Sequence, residues 1–234
     1  MSDVALILAK KGSKGLPGKN LMIWGKKTLL EHTIIHLKRS KLFKKIYVST
    51  NCNRISKIAK NYGCSIILRN DELAKNSGYV KSVNHACKKI KKFSTMTIPM
   101  VVQPIRNFNI FKKMLIKVKK SHLDSVVTVD NFEASTAWIY RIKNGKLNKI
   151  KSINYDSEIG RRKDLVLINN AVVCFKFSSW EKSEGITPWP YLGSKIAFIK
   201  QKFLNKNLKV DINDLEDKRW FFKLTKIFKW KKLY

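Results

Sequence analysis

The sequence predicts an α/β fold with a mostly parallel sheet and helices on both faces. Two observations carry this. Strand-like and helix-like segments alternate through the first hundred residues, and the opening strand is a continuous apolar run of the kind covered on both faces. Val4–Ala9 is that first strand. Apolar residues at helical spacing make "LLEHTIIHLKRSK" (29–41) a helix, and "KIYVST" (45–50) is the next strand. "RISKIAKNYG" reads as a helix closed by Gly63, because glycine tolerates the left-handed turn that ends helices. "CSIIL", then "SGYVKSVNHACKKIKKF", then "TMTIPMVVQP" continue as strand, helix and strand. Right-handed crossovers bring the strand C-termini to one edge, where such folds bind ligands.

After residue 123 the pattern changes. "SVVTV", "TAWIYRI" and "AVVCFKF" are strands with few helices between them, and Asn144-Gly145 has the chemistry of a hairpin turn. The expected organisation is a single domain, 1–234, with a β-rich insertion at about 131–165. Helical periodicity returns at the C-terminus, where Trp220, Leu224, Ile227 and Phe228 share a face and Lys223, Lys226 and Lys229 lie off it. This helix is expected to dock on the body; contact with anionic lipid is the alternative. His85 and His122 fall on helical segments and are assigned no chemistry.

The formal net charge is +33, yet only eight of the 49 basic residues are arginine and the lysines are scattered. Base-edge recognition leans on arginine, and no helix-turn-helix, zinc-finger or RNP-type signature appears. No specific nucleic acid is therefore expected, although the field would draw polyanionic substrates into a cleft. The opening apolar run is too short for a secretory signal, with its lysines after it. No stretch approaches the length needed to span a membrane. The four cysteines have no metal-like spacing and are read as buried thiols in a reducing cytosol.

The loop after the first strand, "AKKGSKGLPGKN", is the chemically informative stretch. Gly12 and Gly18 are spaced too widely for a Walker A loop, and Asn20 follows Lys19 where Ser or Thr is required. The glycines also miss the dinucleotide fingerprint. What remains is a glycine-rich turn in which backbone N–H groups can approach an anion and lysines can neutralise it.

At this point the sequence resembles a family. "AKKGSKGLPGKNL" is similar to the opening P-A-R-G-G-S-K-G-…-K-N of the acylneuraminate cytidylyltransferases, which include the CMP-legionaminic and CMP-pseudaminic acid synthetases. "GKKTLLEHTI", "KIYVSTN", "ILRNDELAKNS", "VVQPIRN", "GRRKDL" and "KVDINDLED" resemble further family segments in the family's order. The resemblance implies a three-layer, Rossmann-like nucleotidyltransferase fold whose β-rich insertion serves dimerisation. It also implies transfer of CMP from CTP to the anomeric hydroxyl of a nonulosonic acid, with release of pyrophosphate. Mg²⁺ as cofactor, a homodimer and a cytoplasmic location come with it.

By position in the motifs, Lys10, Lys19 and Asp211 match catalytic residues. Gly12, Ser13, Lys14, Gly15, Asn20, Arg69 and Gln103 match nucleotide-binding positions. Arg161, Arg162 and Asn169 match sugar-binding positions, and Asp211 with Asn213 match the metal-binding pair. An alternative reading of Asp211 is a cap for the helix that follows it. Several positions depart from the pattern. Lys10 replaces an arginine, and Lys11 replaces a glycine and must avoid positive φ or accept strain. The stretch after Pro104 is three residues short, and amides stand for acids at Asn51, Asn76 and Asn213. Two alternatives remain: nucleotidyl transfer to another sugar such as Kdo, or a weakened homologue that binds nucleotide or anionic polymer without turnover.

Overall fold

The computed structural model describes residues 1–13, 15–75, 78–107, 109–131, 140–143, 146–149, 166–183, 185, 189–201 and 210–227. In chain order the first half runs β1 (Val4–Leu8), β2 (Ile23–Trp24), β3 (Lys27–Thr28), α1 (Leu29–Ser40), β4 (Lys45–Thr50), α2 (Asn53–Asn61), β5 (Ser65–Leu68), α3 (Asp71–Lys75), α4 (Tyr79–Ile90) and β6 (Thr95–Pro99). Then follow α5 (Ile110–Val118), β7 (Ser125–Asn131), β8 (Tyr140–Lys143), β9 (Lys146–Lys149), β10 (Val166–Lys176), α6 (Phe177–Lys182), β11 (Ile196–Lys200) and α7 (Leu215–Ile227).

Seven strands form one sheet in the order β11-β7-β10-β6-β1-β4-β5. β1 pairs in parallel with β4 and β6, and β4 with β5, while β10 runs antiparallel to β6. The strand–helix alternation predicts this, since parallel neighbours need a crossover. Side chains along β1 alternate between faces. Ala5 and Ile7 join a core with Leu30 and Ile34 of α1, Ile55 of α2, Phe111 of α5 and Phe221 of α7. Met96, paired with Val4, meets Cys87 of α4 on the other face. Phe93 packs edge to face on Phe175, and Phe175 meets the tilted ring of Tyr191, which completes that second layer. The result is the expected three-layer α/β arrangement.

The chain divides into two compact units, Met1–Thr128 with Asn170–Tyr234, and Val129–Asn169. Within the second unit, β8 and β9 pair antiparallel with Lys143 opposite Lys146. Asn144-Gly145 and the first four residues of "TAWIYRI" lie outside the described residues.

Local chemistry explains the element ends. Thr28 and Glu31 form a reciprocal capping box at the start of α1, and Gly63 closes the turn after α2 at φ +69°. The sequence reading needs three corrections. His122 sits in a turn after α5, not on a helix. The strand read at "AVVCFKF" ends at Lys176, and Phe177 instead opens α6, whose six residues are too few to show a helical period. On α7 the inward residues are Phe221 and Leu224, whereas Trp220 is 44% exposed. The indole stays outside under the Lys223 ammonium, while Phe221 packs edge-on against Trp24. Phe228 is outside the described residues. We expect Phe221→Ala to cost about 3–5 kcal/mol in guanidinium denaturation and Trp220→Ala under about 1 kcal/mol; the reverse ranking would contradict this packing.

Candidate active site

The parallel strands β1, β4, β5 and β6 end together, and the residues just beyond them build a cavity of about 250 Å³. Leu8 ends β1 and Lys10 follows it, Arg69 follows β5, and Met100, Val101 and Val102 follow β6. The glycine-rich loop adds Ser13, Lys19 and Asn20. Ala74 of α3, Tyr79 and Ser82 of α4, and Asn213 before α7 complete the wall.

Three cations face this space, each placed by the backbone around it. Lys10 donates from Nζ to the Ala74 carbonyl at 3.2 Å, and its own carbonyl accepts from Asn20 Nδ2 at 3.0 Å. Lys19 opens a 3₁₀ turn at Lys19–Leu21, entered through Gly18 at φ +71°, a conformation that favours glycine. Its Nζ donates to the Ile212 carbonyl and to Asn213 Oδ1, each at 3.1 Å. Burial holds the Lys19 ammonium below the usual lysine range, opposed by the carboxylates of Asp211 and Asp217. Arg69 is buried. It donates to Ser82 Oγ at 2.8 Å and to the Ser49 carbonyl at 3.1 Å, and burial lowers its pKa to about 10, so it remains charged at neutral pH.

The loop and the segment before α7 meet closely. A Cβ on Gly15 would stand 2.5 Å from the Asn213 carbonyl oxygen, so only glycine fits there. Burial alternates from Val210 to Asn213, buried at 210 and 212 and exposed at 211 and 213, which puts Asp211 and Asn213 on the same side. Asp211 does not cap α7. Asp214 does so: its Oδ1 accepts from the Asp217 N–H at 2.9 Å, and Asp217 returns the bond to the Asp214 N–H at 3.3 Å.

Among the sequence-chosen residues, Lys10, Ser13, Lys19, Asn20, Arg69 and Asn213 come together at the cavity. Gly12, Gly15 and Asp211 flank it without lining it. Gln103 is buried in the turn beyond β6, with its N–H bonded to the Met100 carbonyl, and does not line the cavity either. Asn169 lies on β10 in the second unit. Lys14, Arg161, Arg162 and Asn76 are outside the described residues. Of the two possibilities at Lys11, it avoids positive φ and does not take on that strain. Sequence reasoning missed Ala74, Tyr79, Ser82 and the Met100–Val102 wall. The end of β6 was legible as a strand terminus on the binding edge; Ser82, reached through Arg69, had no local signal.

Residues 4–91 match a family model described as cytidylyltransferase. That stretch contains the loop, Arg69, Ala74, Tyr79 and Ser82. Over that stretch the chain is similar to the cytidylyltransferases. It is 31% identical over 105 residues to the N-acylneuraminate cytidylyltransferase of Escherichia coli O18:K1:H7, covering 44% of this chain and 25% of that one. To the CMP-N,N'-diacetyllegionaminic acid synthase of Legionella pneumophila it is 30% identical over 145 residues, covering 59% of this chain and 62% of the relative. The chain thus spans less than two thirds of either curated relative. Its fold is that of a solved CMP:2-keto-3-deoxy-manno-octonic acid synthetase complexed with CTP, with a TM-score of 0.63, 12% identity, and coverage of 97% of this chain and 100% of that one. The 4-diphosphocytidyl-2C-methyl-D-erythritol synthase of Anaerococcus prevotii shares it at a TM-score of 0.64, with 13% identity and 96% of each chain covered.

Proposed function

We propose that this cytidylyltransferase relative transfers CMP from CTP to the anomeric hydroxyl of a nonulosonic acid and releases pyrophosphate. The observation that carries the reading is the convergence of Lys10, Lys19 and Arg69 on one cavity at the C-terminal edge of a parallel sheet. The sugar hydroxyl attacks the α-phosphorus in line, the α–β phosphoanhydride bond breaks, and the hydroxyl proton is lost as pyrophosphate leaves. Little covalent chemistry falls to the protein, so catalysis rests on positioning and on neutralising phosphate charge.

Lys10 exchanges its Ala74 carbonyl partner for a phosphate oxygen. Lys19, anchored on the Asn213 segment, supplies a second positive charge from a partly buried position. Arg69, fixed by Ser49 and Ser82, sets the side of the cavity nearest α4. The N–H groups around Ser13 and Gly15 and the Asn20 side chain define the loop face. Arg161, Arg162 and Asn169 hold the sugar acid, the guanidinium pair suiting its carboxylate.

The donor set suits Mg²⁺ that takes its other ligands from phosphate and water. Asp211 offers an exposed carboxylate released from capping duty. Asn213 offers an amide oxygen with a lone pair beyond the one used by Lys19. When bound, the ion would neutralise charge on the triphosphate oxygens.

Use of CTP supports a cytoplasmic site, and no described helix is long and apolar enough to cross a membrane. The homodimer is proposed through the Val129–Asn169 unit; a light-scattering mass near the single-chain 27.2 kDa would contradict it. The function itself is tested by incubating the chain with CTP, Mg²⁺ and separate sialic, legionaminic and pseudaminic acids, then weighing the products. A CMP-linked sugar acid is expected with at least one. Retention of CTP without product from any acid would instead favour a binding protein.

A further inference from the structure

We propose that Asn51 is a positioning residue for the phosphate loop, acting as a polarity adaptor between the loop backbone and Asp71. This rests on the nucleotide reading above for its consequence, though not for its geometry. Asn51 lies directly after β4 and outside the cavity lining. Its Oδ1 accepts from the Lys11 N–H at 2.9 Å, and its Nδ2 donates to Asp71 Oδ1 at 2.8 Å. The amide orientation is fixed by its partners: a backbone N–H must meet an oxygen, and a carboxylate must meet an N–H.

The same loop step is tied to α3 a second time, through Lys10 Nζ on the Ala74 carbonyl. The Lys10-Lys11 step is thus held to both ends of one short helix, at Asp71 through Asn51 and at Ala74 directly. Asn20 holds the Lys10 carbonyl from the other side. Asn51 therefore fixes the backbone from which the Lys10 side chain reaches the cavity, without touching a ligand itself.

The acid at 71 explains the amide at 51. An aspartate at 51 could still accept from Lys11, yet it would set two carboxylate oxygens at the distance now spanned by a hydrogen bond. Repulsion would drive the pair apart and carry the loop or α3 with it. Exchanging the two chemistries, with acid at 51 and amide at 71, restores both bonds: the Lys11 N–H still donates to residue 51, and the bond between 51 and 71 re-forms with donor and acceptor reversed. A residue that merely fills space would not respond to that exchange.

The test compares four forms of the full chain: native, Asn51→Asp, Asp71→Asn, and Asn51→Asp with Asp71→Asn. Exchange of the Lys11 amide is followed by NMR and CTP affinity by calorimetry, with thermal melts confirming that each form is folded. In Asn51→Asp, exchange quickens and CTP binding weakens, each about three- to tenfold at low ionic strength, with the deficit relative to native shrinking in salt. Asp71→Asn stays near native, and the double exchange recovers both readouts. A native-like Asn51→Asp, or a double variant no better than it, overturns the proposal. Failure of native protein to bind CTP would remove the nucleotide reading, while the exchange pattern at Lys11 would still decide the adaptor.

Discussion

Lys19→Ala is expected to lower CTP turnover by roughly 10²–10³-fold and to weaken CTP binding with it. Lys19 is the cation that joins the two halves of the site. It begins in the loop after β1, and its ammonium reaches Ile212 and Asn213, nearly two hundred residues later. Alanine therefore removes a charge from a partly buried wall and leaves the Ile212 carbonyl and the Asn213 amide without that donor. The lowered pKa of Lys19 comes first from burial, the same condition that strengthens its attraction for phosphate. Steady-state pyrophosphate release and CTP titration check this together. Native kcat/KM in the variant would remove Lys19 from the site.

Asp211→Ala should have the second large effect, loss of most of the Mg²⁺-dependent rate, on the order of 100-fold, with folding unchanged. The separation of the two readouts follows from the capping arrangement. α7 is capped by Asp214 and Asp217, so the exposed Asp211 has no capping duty for alanine to disturb, and what its loss removes is a charge acting on Lys19. Stability within about 0.5 kcal/mol of native is expected in denaturant. The rate should be measured as a function of Mg²⁺, alongside Mn²⁺ binding in the presence of CTP. An unaltered metal response would end the assignment of Asp211 as a ligand.

The first half of the fold was legible because local pattern and tertiary role agree there. Val4–Leu8 is apolar throughout because both faces of β1 are covered, and Leu29–Ser40 carries its capping box and apolar stripe in the sequence itself. α7 was less legible. Trp220 and Phe221 are adjacent bulky aromatics, and a helical period cannot say which turns inward. The space beside Trp24 decides it, and that space is made by residues far away in sequence. Likewise α6 is too short to express a period.

The site divides along the same line. Lys10, Ser13, Lys19 and Asn20 sit in one loop with a readable glycine pattern, and Arg69 and Asn213 were placed by resemblance to family segments. Ser82 has no such signal, and Ala74, although it lies in the same family-like segment as Arg69, was not singled out because it matters only through the carbonyl that Lys10 touches. Asn51 was noticed as a departure from an acidic position. Its physical reason, a neighbouring carboxylate at Asp71, is visible only once β4 and α3 are brought together.

The most direct test of the cavity as a CTP site for sugar-acid activation is pyrophosphate release measured with Mg²⁺ and each candidate acid. CTP is compared with ATP, GTP and UTP, and with CTP alone. Release that requires both CTP and an acid is the expected result. Release independent of the acid, or equal with all four nucleotides, would contradict transfer of CMP at this site.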